Sequence, residues 1–179
     1  MWDRDKYVKA WRYAGQAHNG QRVPGSDLPY INHIGNVAME AMATIAHDNG
    51  IERPDLLIQC ALLHDVIEDT DTTYAIVREE FGAAVADGVL ALTKNADLPN
   101  KKERMADSLR RIKEQPAEIW MVKMADRITN LQPPPGHWSP PKIKNYHDEA
   151  ISIWENLHPA NPYLADRLQS KISQYECYL

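Results

Sequence analysis

Along most of the chain apolar residues recur every three or four positions, the spacing of one buried face of an α-helix. Tyr7, Ala10, Trp11, Ala14 and Ala17 mark a first helix from about Asp3 to Asn19. The loop from His18 to Tyr30 is set by its Gly and Pro residues. Val37, Ala38, Ala41, Met42 and Ile45 mark a second helix, which runs to about His47. Asn32 suits its N-cap, and His33 falls in its first turn. Asn49-Gly50 breaks the chain, and Pro54 suits the start of a third helix. There the pattern changes. Up to Leu63 this third segment is apolar on nearly every side, which predicts a buried helix, expected to run on to Asp69.

Short helices are expected over Tyr74–Phe81, closed by Gly82, and over Ala83–Leu92. A charged helix follows from Lys101 to Glu114, with Met105, Leu109 and Ile112 inward. Further helices are expected over Ile119–Leu131, from about Pro141 to Leu157, and from about Tyr163 to Tyr175. Pro133 to Pro141 cannot be helix. It reads as a rigid loop within one domain, because the amphipathic helix after it needs the same core. No stretch alternates like a strand. The predicted fold class is all-α: one helical bundle over residues 1–179, its core over about 7–131 and helices within 141–177 packed on it.

Composition narrows the function. The chain has 179 residues, enough for one well-buried core, and a net charge of −5, which argues against general binding to nucleic acid or anionic membrane. Only Cys60 and Cys177 are present, in no zinc or disulfide pattern, and the first residues lack an apolar signal core. These features predict a cytoplasmic protein with no membrane span.

Candidate chemistry begins where the third helix stops being apolar. His64, Asp65, Glu68 and Asp69 arrive within six positions. At about 100° per residue they share one face, with Leu62, Leu63, Val66 and Ile67 opposite. Three carboxylates at the end of a buried helix are costly unless something positive meets them, and no Lys or Arg occurs between Pro54 and Tyr74. A divalent metal satisfies them. The two other His-Asp pairs read differently: His47-Asp48 as a helix end, His147-Asp148 as solvated. His64-Asp65 together with His33 and Asp126 gives two imidazoles and two carboxylates, a set suited to Mn²⁺, Fe²⁺ or Zn²⁺.

His33, His64-Asp65 and Asp126 resemble the H…HD…D pattern of HD-domain metal-dependent phosphohydrolases. More narrowly, the chain resembles the hydrolase domain of RelA/SpoT-type alarmone enzymes and the stand-alone small alarmone hydrolases. The resemblance rests on Ala17-His18-Asn19-Gly20-Gln21, Pro29 to His33, Ala61 to Thr70, Phe81-Gly82, Leu92-Thr93-Lys94 and Ala125-Asp126-Arg127. It implies a bundle of the HD-domain type in which His33, His64, Asp65 and Asp126 hold one Mn²⁺ ion. It implies that Glu68 and Asp69 position and activate the attacking water. The implied reaction removes the 3′-pyrophosphate of (p)ppGpp, leaving GDP or GTP, with a small nucleotide as the substrate and neither nucleic acid nor membrane as a partner. Asn130 matches the family's nucleotide-contacting Asn, and Tyr146 a substrate-side Tyr. Arg22, Lys94 and Lys101 are candidates for phosphate or base contacts, and His137 and Trp138 for stacking on a base or closing the core.

The chain departs from the family after Gln21, where a basic run is replaced by Arg22-Val23-Pro24-Gly25-Ser26-Asp27-Leu28. The same chemistry on (p)ppApp, or on another nucleotide with a 3′- or 2′-phosphate, is therefore the alternative, and a non-catalytic nucleotide-binding protein a further one. About 50 residues follow Asp126, too few for a synthetase domain, so a hydrolase-only protein is expected.

Overall fold

A computed structural model describes residues 1–179. It holds ten α-helices: α1 (Arg4–Ala17), α2 (Ile31–His47), α3 (Pro54–Leu63), α4 (Val66–Asp69), α5 (Tyr74–Phe81), α6 (Ala83–Leu92), α7 (Lys101–Lys113), α8 (Ala117–Asn130), α9 (Pro140–Leu157) and α10 (Pro162–Tyr175). The only strand-like feature is an isolated bridge between Arg22 and Pro29. No helix is long and apolar enough to cross a membrane.

α3 is the axis. Every residue from Leu56 to Leu63 is buried, as its all-round apolar sequence requires. α1, α2, α6 and α8 surround it, and α2 and α8 also pack on each other. α9 and α10 cover α8, so one continuous apolar core extends from Ala10 to Tyr175. The closest approach is at Gly88 of α6, where a Cβ would lie 2.5 Å from Ile119 Cδ1 and 3.0 Å from Cys60 Sγ. Only glycine lets α6 reach α3 and α8 together. Both cysteines are free, Cys60 in the core and Cys177 exposed.

Four local expectations are corrected. The third helix does not run unbroken to Asp69: it stops at Leu63, turns through His64-Asp65, and resumes as the single turn of α4. The His64 ring bonds the Ala61 carbonyl (Nδ1 to O, 2.9 Å), competing for the acceptor that Asp65 N–H would use in a continuing helix. Asn32 is not a cap. Tyr30 precedes α2 without a side-chain cap, and Asn32 Nδ2 instead donates back to the Pro29 carbonyl (2.9 Å). His147 is buried, not solvated, because its ring stacks on Tyr175 of α10 (14° between planes). The helix expected from Tyr163 begins one residue earlier, with Pro162 in its first turn and Asn161 as a true N-cap on Leu164 N.

Candidate active site

α2, α3 and α8 each deliver a polar side chain to one point. His33 enters from the first turn of α2, His64 from the end of α3, and Asp126 from the last turns of α8. One donor atom from each lies within 4.8 Å of the other two. The imidazoles face each other Nε2 to Nε2 at 3.3 Å. Asp126 Oδ1 stands 3.5 Å from His33 Nε2 and 3.8 Å from His64 Nε2. Asp65 joins from the turn, its Oδ2 2.8 Å from His64 Nε2 and 3.7 Å from His33 Nε2. His33, His64 and Asp126 are all buried.

The donor set fits a metal ion. A backbone carbonyl only accepts, so the His64 Nδ1 contact to Ala61 O places a proton on Nδ1 and leaves Nε2 to face the cluster. Two imidazole nitrogens and two carboxylate oxygens then converge, with Lys123 on the other oxygen of Asp126. Burial opposes charge on His64, but the carboxylates of Asp65 and Asp126 outweigh it and raise its pKa to about 9 without metal. Burial likewise opposes charge on Asp126. The Lys123 ammonium and the two imidazoles override it and hold the carboxyl well below the usual range.

A cavity of about 120 Å³ opens beside the cluster, lined by Tyr30, His64, Asp65, Glu68, Asp69, Leu92, Lys94, Lys123, Asp126 and Asn130. That space takes a phosphoryl group together with an attacking water. Glu68 is fixed on its wall. Lys94 holds both of its oxygens, Nζ to Oε1 and backbone N to Oε2, each at 2.9 Å. Partial burial, then the carboxylates of Asp65 and Glu68, push the Asp69 carboxyl up. Asn130 Nδ2 donates to Asp126 Oδ1 (2.5 Å) and lines the cavity.

Arg22 and Tyr146 are not on the cavity wall. Arg22 is exposed and ties back to Asp27, through its carbonyl at 2.8 Å and its carboxylate at 2.9 Å. Tyr146 packs over the Arg127 guanidinium (4.2 Å) and against the edge of Trp138 (5.2 Å), and burial pushes its phenol up to about 12. Trp138 is therefore engaged with the fold, with Lys142 over its ring (4.1 Å). Lys101 and His137 are exposed and line no part of the cavity.

The structure adds residues the sequence did not single out. Tyr30 donates its hydroxyl to Asp65 Oδ2 (2.6 Å), and burial and that carboxylate both push the phenol up, keeping it a donor. Lys123, buried, donates to the other oxygen of Asp126 (2.9 Å). The positive charges that the stretch from Pro54 to Tyr74 lacks thus arrive from α8 and from Lys94 after α6. Lys123 was within reach of sequence reasoning, since it lies three residues before Asp126 on one helix face.

With this geometry in view the comparisons with known proteins are decisive. The family profile described as the HD domain matches residues 10–163. The chain belongs to the HD-domain family. It is 33% identical over 162 residues to the zebrafish (Danio rerio) guanosine-3′,5′-bis(diphosphate) 3′-pyrophosphohydrolase MESH1, covering 88% of this chain and 87% of that one. The human MESH1 is 32% identical over 172 residues, 93% of both chains. The Escherichia coli bifunctional (p)ppGpp synthase/hydrolase SpoT is 33% identical over 154 residues, 83% of this chain but 21% of SpoT. Among solved structures, a metazoan ortholog of SpoT that hydrolyzes ppGpp superposes with TM-score 0.82 at 27% identity, over 97% of both chains. The all-α HD architecture read from the sequence is the one that this solved structure shares.

Proposed function

We propose that this chain is a Mn²⁺-dependent phosphohydrolase that removes the 3′-pyrophosphate of (p)ppGpp to give GDP or GTP and pyrophosphate. The observation that carries the reading is the four-donor cluster of His33, His64, Asp65 and Asp126 facing a phosphoryl-sized cavity walled by Glu68 and Asp69. Kinship to the MESH1 and SpoT hydrolases supplies the substrate class. Residues 1–179 act as one hydrolase unit, in the cytoplasm, on a small nucleotide.

His33, His64, Asp65 and Asp126 would hold the ion, which when bound polarises a phosphoryl oxygen and lowers the pKa of a coordinated water. The chain's own residues do the rest. Tyr30 and Lys123 each occupy one oxygen of Asp65 and Asp126, fixing the carboxylates that face the cluster. Glu68 takes a proton from the attacking water, and Asp69 orients that water. The water oxygen bonds to the phosphorus next to the ribose 3′-oxygen, the bond to that oxygen breaks, and the proton that Glu68 took returns to the 3′-oxygen, which leaves as the hydroxyl. Lys94 and Asn130 contact the phosphates inside the cavity. Arg22 and Tyr146, which stand off the cavity wall, would contact the nucleotide beyond it.

One observation favours keeping a second base in view. Arg22 is engaged by Asp27 within its own loop, so its guanidinium is not committed to guanine. The same chemistry on (p)ppApp, or on another nucleotide bearing a 3′- or 2′-phosphate, is the second reading. The test is pyrophosphate release from ppGpp and ppApp side by side, with and without Mn²⁺. Mn²⁺-dependent release from ppGpp supports the proposal, and release from ppApp alone moves the substrate. Tight nucleotide binding without turnover of either would return the chain to the non-catalytic reading.

A further inference from the structure

The Asp69 carboxylate makes no hydrogen bond or ion pair of its own, unlike Glu68, which Lys94 holds at both oxygens. Its aim is set by the backbone alone, and that backbone is short of support. α4 is a single turn, and the last carbonyls of any helix lack partners within it. Thr70 Oγ1 takes the Val66 carbonyl at 2.6 Å. The Asp69 carbonyl is taken from 48 residues away, by Gln21 Nε2 at 2.6 Å.

That contact dictates the rest of a chain of bonds. A carbonyl accepts, so the Gln21 amide must present NH₂ to Asp69 and Oε1 to its other neighbour. This neighbour is His18 Nδ1, at 2.7 Å. Oε1 also only accepts, so His18 carries its proton on Nδ1. His18 Nε2 is buried without a partner, which leaves Gln21 as the one hydrogen-bonded neighbour of a ring 3% exposed. The ring lies 4.9 Å from that of Tyr30, the donor to Asp65. The Gln21 main chain is fixed as well, its N–H on the His18 carbonyl (3.0 Å) and its carbonyl under Tyr30 N–H (2.9 Å). These bonds close the neck of the loop that carries Arg22.

We infer that Gln21, oriented by His18, is a positioning residue for hydrolysis: it pins the Asp69 carbonyl and thereby aims the Asp69 carboxylate into the cavity. The inference rests on the reading of Asp69 as part of the catalytic pair. It also makes the Arg22 loop and the catalytic turn one mechanical piece, since Gln21 belongs to both.

The test compares Gln21→Leu, His18→Phe, His18→Asn and the Gln21→Leu/His18→Phe pair with the wild type, on ppGpp and ppApp at saturating Mn²⁺. Gln21→Leu is expected to lower kcat ~10- to 100-fold, with KM and Mn²⁺ affinity within about twofold of wild type, the signature of misplacement rather than lost binding. His18→Phe should lose as much, and the double variant no more, because both cut one chain of bonds. His18→Asn keeps a donor where Nδ1–H stood and should recover most of the loss. Nitrogen NMR of labelled histidine should show His18 in the Nδ1–H form in the wild type and in mixed tautomers in Gln21→Leu. Unchanged kcat in Gln21→Leu overturns the inference, as does a parallel loss of Mn²⁺ affinity and melting temperature, or a His18→Asn no better than His18→Phe. A wild type that hydrolyses neither nucleotide defeats the functional reading alone; His18 found in the Nε2–H form then still overturns the positioning chain, and the Nδ1–H form supports it.

Discussion

Helix α2 carries two buried ionisable groups two turns apart, His33 and Glu40, and the chain treats them in opposite ways. Both oxygens of Glu40 are taken by Arg167 of α10, Nε to Oε2 at 2.8 Å and Nη2 to Oε1 at 2.7 Å. The pair is closed, and it ties α2 to α10. His33 has no such match. It meets another imidazole nitrogen at 3.3 Å and carboxylates at 3.5 and 3.7 Å, all pointing inward. Burial of a charge is tolerated when its partner completes it. Where buried donors converge on one another, a cation from outside the chain would complete them, which is the role proposed for the metal ion. The contrast separates a structural ion pair from a site without reference to any sequence motif.

The largest effect should come from opening the converging cluster. Asp65→Ala is expected to abolish Mn²⁺ binding, measured by calorimetry, and to lower turnover ~1,000-fold or more, since the several kcal/mol a metal supplies to phosphoryl transfer go with it. Glu68→Ala should keep Mn²⁺ and still lose ~100- to 10,000-fold in kcat, the range for a positioned acid–base group. A Glu68→Ala variant with full rate would show that another group activates the water. The closed pair should answer in a different currency. Arg167→Ala is expected to cost about 2 kcal/mol of stability, less than the ~3–5 of a fully enclosed pair because Arg167 is 41% exposed, with Mn²⁺ affinity untouched. Loss of Mn²⁺ binding in Arg167→Ala would dissolve the distinction.

The smallest effect is one of pH. In metal-free protein the His64 pKa is raised to about 9. Its contribution to stability is therefore full below the ordinary histidine value of ~6.5 and lost as pH rises through about 9. Mn²⁺ must displace that proton, so its binding should strengthen over the same window. Melting curves from pH 6 to 10 should show the metal-free midpoint falling while the increment from Mn²⁺ grows. A metal-free midpoint that rises across this range would contradict the assigned charge on His64.

The helices were legible because burial imposes a 3.6-residue period, and the observed ends fall close to the expected ones. The break at His64-Asp65 was not legible, since no Gly or Pro marks it; it arises from a side chain reaching back to the Ala61 carbonyl. His147 reads as solvated until Tyr175, 28 residues later, stacks on it. The converging residues were visible as motifs. The direction of a side chain was not, so the candidate contacts Arg22 and Tyr146 turn to Asp27 and Arg127. Tyr30, Lys123 and Gln21 do their work through tertiary hydrogen bonds that no spacing encodes, save the three-residue step from Lys123 to Asp126.

The 120 Å³ cavity has a further consequence. A chamber walled almost entirely by ionisable and amide side chains suits phosphates and water, which leaves recognition of the base to residues beyond that wall. Outside the wall two surface loops touch: a Cβ at Gly25 would stand 3.2 Å from Pro135 Cγ. Such a division lets substrate preference drift by loop substitution while the hydrolytic chamber stays fixed, so one scaffold can be retuned from one nucleotide signal to another without rebuilding its chemistry.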